Sequence, residues 1–416
     1  MRIPLNQAQC HNGKYADTKR FRHLMTSFNR TITRLSTAAL GNSSRMNLLK
    51  RLTVGMSAFG IGMFAVGLRA MPAMAVSSTD VSPALLQSTA DTIPVSSEEV
   101  YRADQLANQG VQAFTQGDQA AAFDAWQQAM LLYRVAGESA KEARMLENLS
   151  VVYRLTDRPA EAINMSQQAI GIYDSLGTTN EQPSAFLNLG SAYRLAGQSS
   201  EAIATYTRSL YLYRQAADTT GERIILSLLA DVHAEQEDYS QSIAYQQQVL
   251  AIAQRTSDHQ SQAEALSEIG YAHFVLGEYS EAIVHFEMSL TLFQRLGDRA
   301  QEVAVLNNLG RAAALNGSHE VALIAYEQAL VIFQQMNRPV QEAHLWVNIG
   351  QAHMEAGRTN DAIAAFQQVV GLSEAIRRQQ GSNALPARLE AAYRELAILL
   401  QQTARNSEAQ RILSLI

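Results

Sequence analysis

The sequence predicts an all-α solenoid of about eight stacked helical hairpins, on the strength of three residue ladders that share a forty-residue step. The first is a small residue, usually behind an apolar one: Gln109-Gly110, Leu149-Ser150, Leu189-Gly190, Leu229-Ala230, Ile269-Gly270, Leu309-Gly310 and Ile349-Gly350. The second is also small: Ala122, Ala162, Ala202, Ser242, Ala282, Ala322 and Ala362. The third is mostly aromatic: Trp126, Ser166, Tyr206, Gln246, Phe286, Tyr326 and Phe366. A fixed period of this length marks units that cannot cover their own apolar faces and must stack to do so.

Each unit divides into two helices. Phe186, Leu189 and Tyr193 share one face of a first helix, which Gly197 ends. Ala202, Tyr206, Leu210 and Tyr213 share one face of a second. Small residues at 190 and 202 let the two backbones approach, and the larger ones fill the space between hairpins. An eighth unit falls out of step: Asp361-Ala362 recurs as Glu408-Ala409, with the additional residues assigned to Gln379–Leu385 and Pro386 placed to open the next helix. Ser96 and Glu99 form a capping box at the start of the first helix.

Composition agrees with this reading. Of 416 residues 47% are hydrophobic and only 8 are proline, as a helical chain requires. Charge is uneven. Residues 1–75 hold 11 of the 33 basic residues and one acid, Asp17, which leaves 22 basic and 38 acidic residues in the remainder. So acidic a body is ill suited to nucleic acid or an anionic membrane surface, and neither is expected as a partner. The single cysteine, Cys10, lies in the basic segment, so the body holds no thiol for a disulfide, a thiolate metal site or a nucleophile.

The N-terminal segment reads as a targeting signal. Lys50-Arg51 precede an uncharged apolar run, Leu52 to Leu68, and Ala73-Met74-Ala75 supplies the small-x-small cleavage pattern. The expected result is an exported body in a periplasm or a thylakoid lumen. The alternative is an uncleaved anchor over 52–68, the only route to a membrane. Residues 1–45 are read either as preceding a true start at Met46 or as the first part of a two-part address. Residues 76–97 form a flexible linker ahead of the repeats at 98–416.

The ladders resemble the tetratricopeptide repeat, whose units carry an aromatic, Leu-Gly, Tyr, Ala, Phe and Ala in this order. The late proline of that repeat is missing. Units of 40 rather than 34 residues add about 9 Å of helix each. Leu296 to Arg299 and Asn307 to Gly310 look like the forty-residue subclass. That subclass occurs in polarity adaptor proteins that hold extended peptides and ahead of caspase-like proteases; with its export signal the chain resembles exported proteins of cyanobacterial type. The resemblance implies a right-handed superhelix, a protein or peptide partner, no cofactor and no catalysis. No His-Glu-x-x-His, Gly-x-Ser-x-Gly or phosphate-binding loop occurs in the body.

The resemblance also places the ligand on the face lined by first helices. Candidate residues there are the asparagines Asn108, Asn148, Asn188, Asn308 and Asn348, whose amides can pair with any peptide backbone or with neighbouring repeats. Arg144, Arg154, Arg194 and Arg311 suit carboxylates of a partner, or of neighbours such as Glu147. Tyr271 and Phe274 either hold an apolar anchor or tuck between helices. Asn308 and Asn348 are expected to be partly exposed. Asp231, Glu264 and Glu268 make the middle of this face acidic. His233, His273 and His353 share one register and read as packing residues, since neighbouring helices lie about 8–10 Å apart, too far to share a zinc. An alternative role is assembly of a membrane complex, possibly photosynthetic, through the opposite face or the ends.

Overall fold

The computed structural model describes residues 97–178, 181–380 and 387–416. The targeting segment, the linker, the Ser96 cap, most of the insertion and Pro386 lie outside them. Sixteen helices occur among the described residues, joined in consecutive antiparallel pairs, with no strand.

They fall into two compact units, and the chain passes from one to the other between residues 225 and 226. The first unit holds α1 (Ser97–Thr115), α2 (Gln119–Ala136), α3 (Ser139–Leu155), α4 (Pro159–Leu176), α5 (Gln182–Leu195), α6 (Ser199–Gln215) and the start of α7 (Thr219–Glu235). The second holds the remainder of α7, α8 (Tyr239–Arg255), α9 (His259–Leu276), α10 (Tyr279–Leu296), α11 (Arg299–Leu315), α12 (His319–Gln335), α13 (Pro339–Glu355), α14 (Thr359–Gln380), α15 (Ala387–Gln402) and α16 (Asn406–Leu413). Within each unit, successive helices pack, and first helices also touch the next first helix: α3 against α5, α9 against α11, α11 against α13 and α13 against α15.

Every turn from 117 to 357 repeats one device. A residue with positive φ ends the preceding helix at 117, 137, 157 and so on every twenty residues to 357. Eight of these are glycines, which adopt the left-handed conformation at no steric cost. Asp157, Ala217, Glu237, Ser257 and Asn337 adopt it without that freedom. The following helix starts with a capping carboxylate at Asp118, Asp238, Asp258 and Asp298, each accepting from a backbone N–H three residues on. Pro159 and Pro339 open α4 and α13, where their missing N–H would have no partner in any case.

The ladders meet inside the hairpins. Ala122, Ala162, Ala202, Ala282, Ala322 and Ala362 are wholly buried, as are Trp126, Tyr206 and Phe286. A Cβ built on Gly190 would lie 2.6 Å from Cδ1 of Tyr206, and one on Gly270 would lie 2.9 Å from Cδ1 of Phe286. Gly110 stands in the same relation to Trp126, Gly310 to Tyr326 and Gly350 to Phe366. The two exceptions explain each other. Where the first ladder carries Ser150, the third carries Ser166, and the two hydroxyls hydrogen-bond at 2.7 Å in the core. Where it carries Ala230, the third carries the unbranched Gln246. Glycine and the ring across from it are thus one packing decision, made unit by unit.

Candidate interaction surface

First helices present their positions in register, so the candidate residues fall on the odd-numbered helices of each unit. Their backbone N–H and C=O groups are consumed within helices, which leaves recognition to side chains.

In the first unit, Asn108 on α1 is exposed and Asn148 on α3 is half-buried. Asn188 on α5 is only 3% exposed and donates its Nδ2 to Oε2 of Glu147 at 3.3 Å. Glu147 is itself buried and also accepts from the Tyr173 hydroxyl and the Ser184 hydroxyl, both at 2.8 Å. Desolvation nonetheless outweighs these three donors and the charge of Arg144, and pushes the Glu147 carboxyl up to about 7. Arg144 is exposed and pairs loosely with Glu181 at 3.7 Å. Arg194 is half-buried and engaged, whereas Arg154 has a buried Nε with no acceptor. Asp104 on α1 takes the Tyr133 hydroxyl at 2.6 Å and the Lys141 ammonium at 2.9 Å.

In the second unit, Phe274 is 6% exposed and lies between partners: the Arg311 guanidinium stands 4.8 Å from its ring centre, Tyr271 stacks at 6.3 Å and Tyr279 tilts against it at 5.8 Å. Tyr271 and Arg311 remain half-buried. Phe274 therefore supports the two instead of facing a partner itself. Asn308 and Asn348 correct the expectation of partial exposure: they are 8% and 7% exposed. The Nδ2 of Asn348 donates to Oδ1 of Asn307 at 3.0 Å, while Oδ1 of Asn308 is buried with no donor. The reason is the step between first helices, which sets a residue of one unit against its counterpart about forty positions on. Asn188 and Asn348 form such bridges between repeats, whereas Asn108 and Asn148 keep accessible surface.

Glu268, on α9, is exposed. Loss of hydration, together with the neighbouring charges of Asp231 and Glu264, pushes its carboxyl upward even so. The acidity of these three positions is legible in the sequence, whereas the effect of their crowding is not. His233 and His273 turn to acids at the next turn, Asp238 at 3.3 Å and Glu278 at 2.6 Å, and stack on Tyr245 and His285. Among the described residues no three His, Cys, Asp or Glu side chains gather as a metal site would require.

A tetratricopeptide repeat model matches residues 102–175, 181–255 and 261–335, and a second such model matches 343–376. No curated protein matches the chain. Among solved structures, the apo form of the quorum sensor NprR from B. thuringiensis is similar with a TM-score of 0.51 at 16% identity, over 77% of this chain and 88% of that one. BtubC from P. vanneervenii gives 0.45 at 19% identity over 54% and 93%, and the apo form of RapI gives 0.48 at 11% over 66% and 99%.

Proposed function

Because the chain belongs to the tetratricopeptide repeat family, we propose that it is a non-catalytic scaffold that holds an extended segment of a partner protein on the faces of its first helices. The observation that carries this reading is the repeated polar and aromatic display on those helices. Asn108, Asn148, Arg144, Glu268, Tyr271 and Arg311 all keep accessible surface while the backbone beneath them is internally satisfied. Asn188, Asn308 and Asn348 are built into the stack and serve the surface indirectly.

The test is capture of a partner by the full chain, identification by mass spectrometry, and titration of its bound segment against variants. Asn108→Ala, Arg144→Ala and Tyr271→Ala together should weaken binding tenfold or more with helicity retained. Unchanged affinity would move the site elsewhere. One observation favours such a second reading. Val284 and Met288 on α10, and Val321, Ile324 and Val331 on α12, are exposed apolar residues on second helices. An assembly factor for a membrane complex would dock there.

Export across a membrane is part of the proposal and rests on the Lys50-Arg51, Leu52–Leu68 and Ala73-Met74-Ala75 pattern. Among the described residues no helix is long and apolar enough to cross a membrane. N-terminal sequencing of the exported protein should begin at Val76; recovery of the intact chain from the cytoplasm contradicts it.

A further inference from the structure

One hairpin of the second unit brings two imidazoles together. His273 lies in the last turn of α9 and His285 in the second turn of α10, and their ring centres are 5.2 Å apart with planes 22° from parallel. The repeat register makes the pair. One unit earlier the same two slots hold His233 and Tyr245, stacked alike at 5.4 Å, and two units later they hold His353 and Ala365. Among the forty-residue units only this one has histidine in both slots.

Both rings are held as metal-bound histidines are. Nδ1–H of His273 donates to Oε2 of Glu278 at 2.6 Å, and Nδ1–H of His285 donates to the carbonyl oxygen of Glu281 at 2.9 Å. A carboxylate and a carbonyl only accept, so each neutral ring carries its lone pair on Nε2. Among the described residues neither Nε2 makes a hydrogen bond, and neither is closed off from solvent as the Nδ1 of His353 is. A carboxylate or a backbone carbonyl on the far nitrogen orients a zinc-binding imidazole and raises its basicity.

The ring separation fits the same ion. Two imidazoles on one tetrahedral zinc have their centres about 5 Å apart, whereas adjacent square-planar positions bring them to about 4.5 Å. Rotation about Cβ–Cγ, a soft torsion in histidine, aims both lone pairs at one point. Two ligands are half of a closed zinc shell, and among the described residues no third His, Cys, Asp or Glu joins them. A second copy related by a two-fold axis supplies the same two nitrogens and closes the shell.

We propose that His273 and His285 form a zinc half-site, and that one Zn2+ joins two copies of this chain through four imidazoles. The pairing is independent of the scaffold function, and neither requires the other. Beyond residue 75 each chain carries 38 acids against 22 bases, so two copies repel and the ion supplies the attraction.

The experiment is sedimentation velocity of the full chain with zinc chloride or with EDTA, beside a calorimetric zinc titration. Zinc should double the sedimenting mass and saturate at one ion for two chains, and EDTA should reverse the change. His285→Tyr recreates the pairing of His233 with Tyr245, so it keeps the stack and removes one ligand. It should melt like the unaltered chain in EDTA and abolish the zinc-dependent doubling. Glu278→Gln leaves both rings in place, and the Glu278 side chain makes no helix-cap bond whose loss would disturb the fold. It should weaken zinc binding at least tenfold, and it carries the test if His285→Tyr fails to fold. Unchanged mass with zinc, or saturation at one ion per chain, overturns the proposal. Doubling that survives His285→Tyr, or zinc affinity untouched by Glu278→Gln, overturns it as well.

Discussion

Replacing Gly310 by leucine tests the packing rule that organises the chain. A Cβ at 310 would lie 2.6 Å from Cδ1 and 2.8 Å from Cζ of Tyr326, and nearer still to Cε1. Ordinary contact begins near 3.4 Å, so the ring would have to withdraw by about 1 Å. Tyr326 is 2% exposed and has nowhere to go. Leucine adds three further carbons at the same point. Overpacking costs typically about 1–3 kcal/mol and more in a tight site, while the better helix propensity of leucine returns somewhat less than about 1 kcal/mol. The net expectation is a loss of about 2 kcal/mol or more. Urea denaturation followed by helical circular dichroism reads it, as a midpoint shift because repeat arrays need not unfold in two states. Tyr326→Ala alone should cost about 3–5 kcal/mol. The double variant should be markedly more stable than the sum, since the leucine then occupies the vacated ring site. Gly171→Ala is the control: nothing lies within 4 Å of its Cβ, and the change should stabilise by up to about 1 kcal/mol. Unaltered melting of Gly310→Leu, or simple additivity with Tyr326→Ala, would refute the proposed contact.

The same rule predicts that Ser166→Phe destabilises against Ser150 and that Ser150→Gly rescues it, read by melting temperature. Ala217→Gly relieves a left-handed alanine at φ 53° and should stabilise by roughly 0.5–1 kcal/mol in urea titration. Glu147 has a folded pKa of about 7, raised above its unfolded value, so its contribution is fully present below about pH 4.5 and is lost as pH rises through 7. Glu147→Gln should remove that decline, whose upper bound is about 3 kcal/mol, in melting temperatures taken from pH 5 to 8. Asn348→Ala should destabilise by about 0.5–1.5 kcal/mol through loss of its bond to Asn307, whereas Asn308→Ala, whose carbonyl has no donor, should cost less in the same titration.

The period, the helical content and the hairpin boundaries were legible because each depends on local pattern. Small residues recur where helices cross, apolar residues recur at helical spacing, and glycine marks eight of the turns. The pairing of Gly310 with Tyr326 was implicit in two ladders read side by side. Only the tertiary structure decided the fate of the polar residues on the first helices. Asn188 and Asn148 are the same residue in the same register, yet one is buried against Glu147 and the other retains surface. That outcome depends on which side chain stands about forty positions away across a helix contact, and no local spacing encodes it. The turns at Asp157, Ala217, Glu237, Ser257 and Asn337 follow the same logic: packing of the flanking helices imposes a left-handed residue there, although the sequence supplies no glycine.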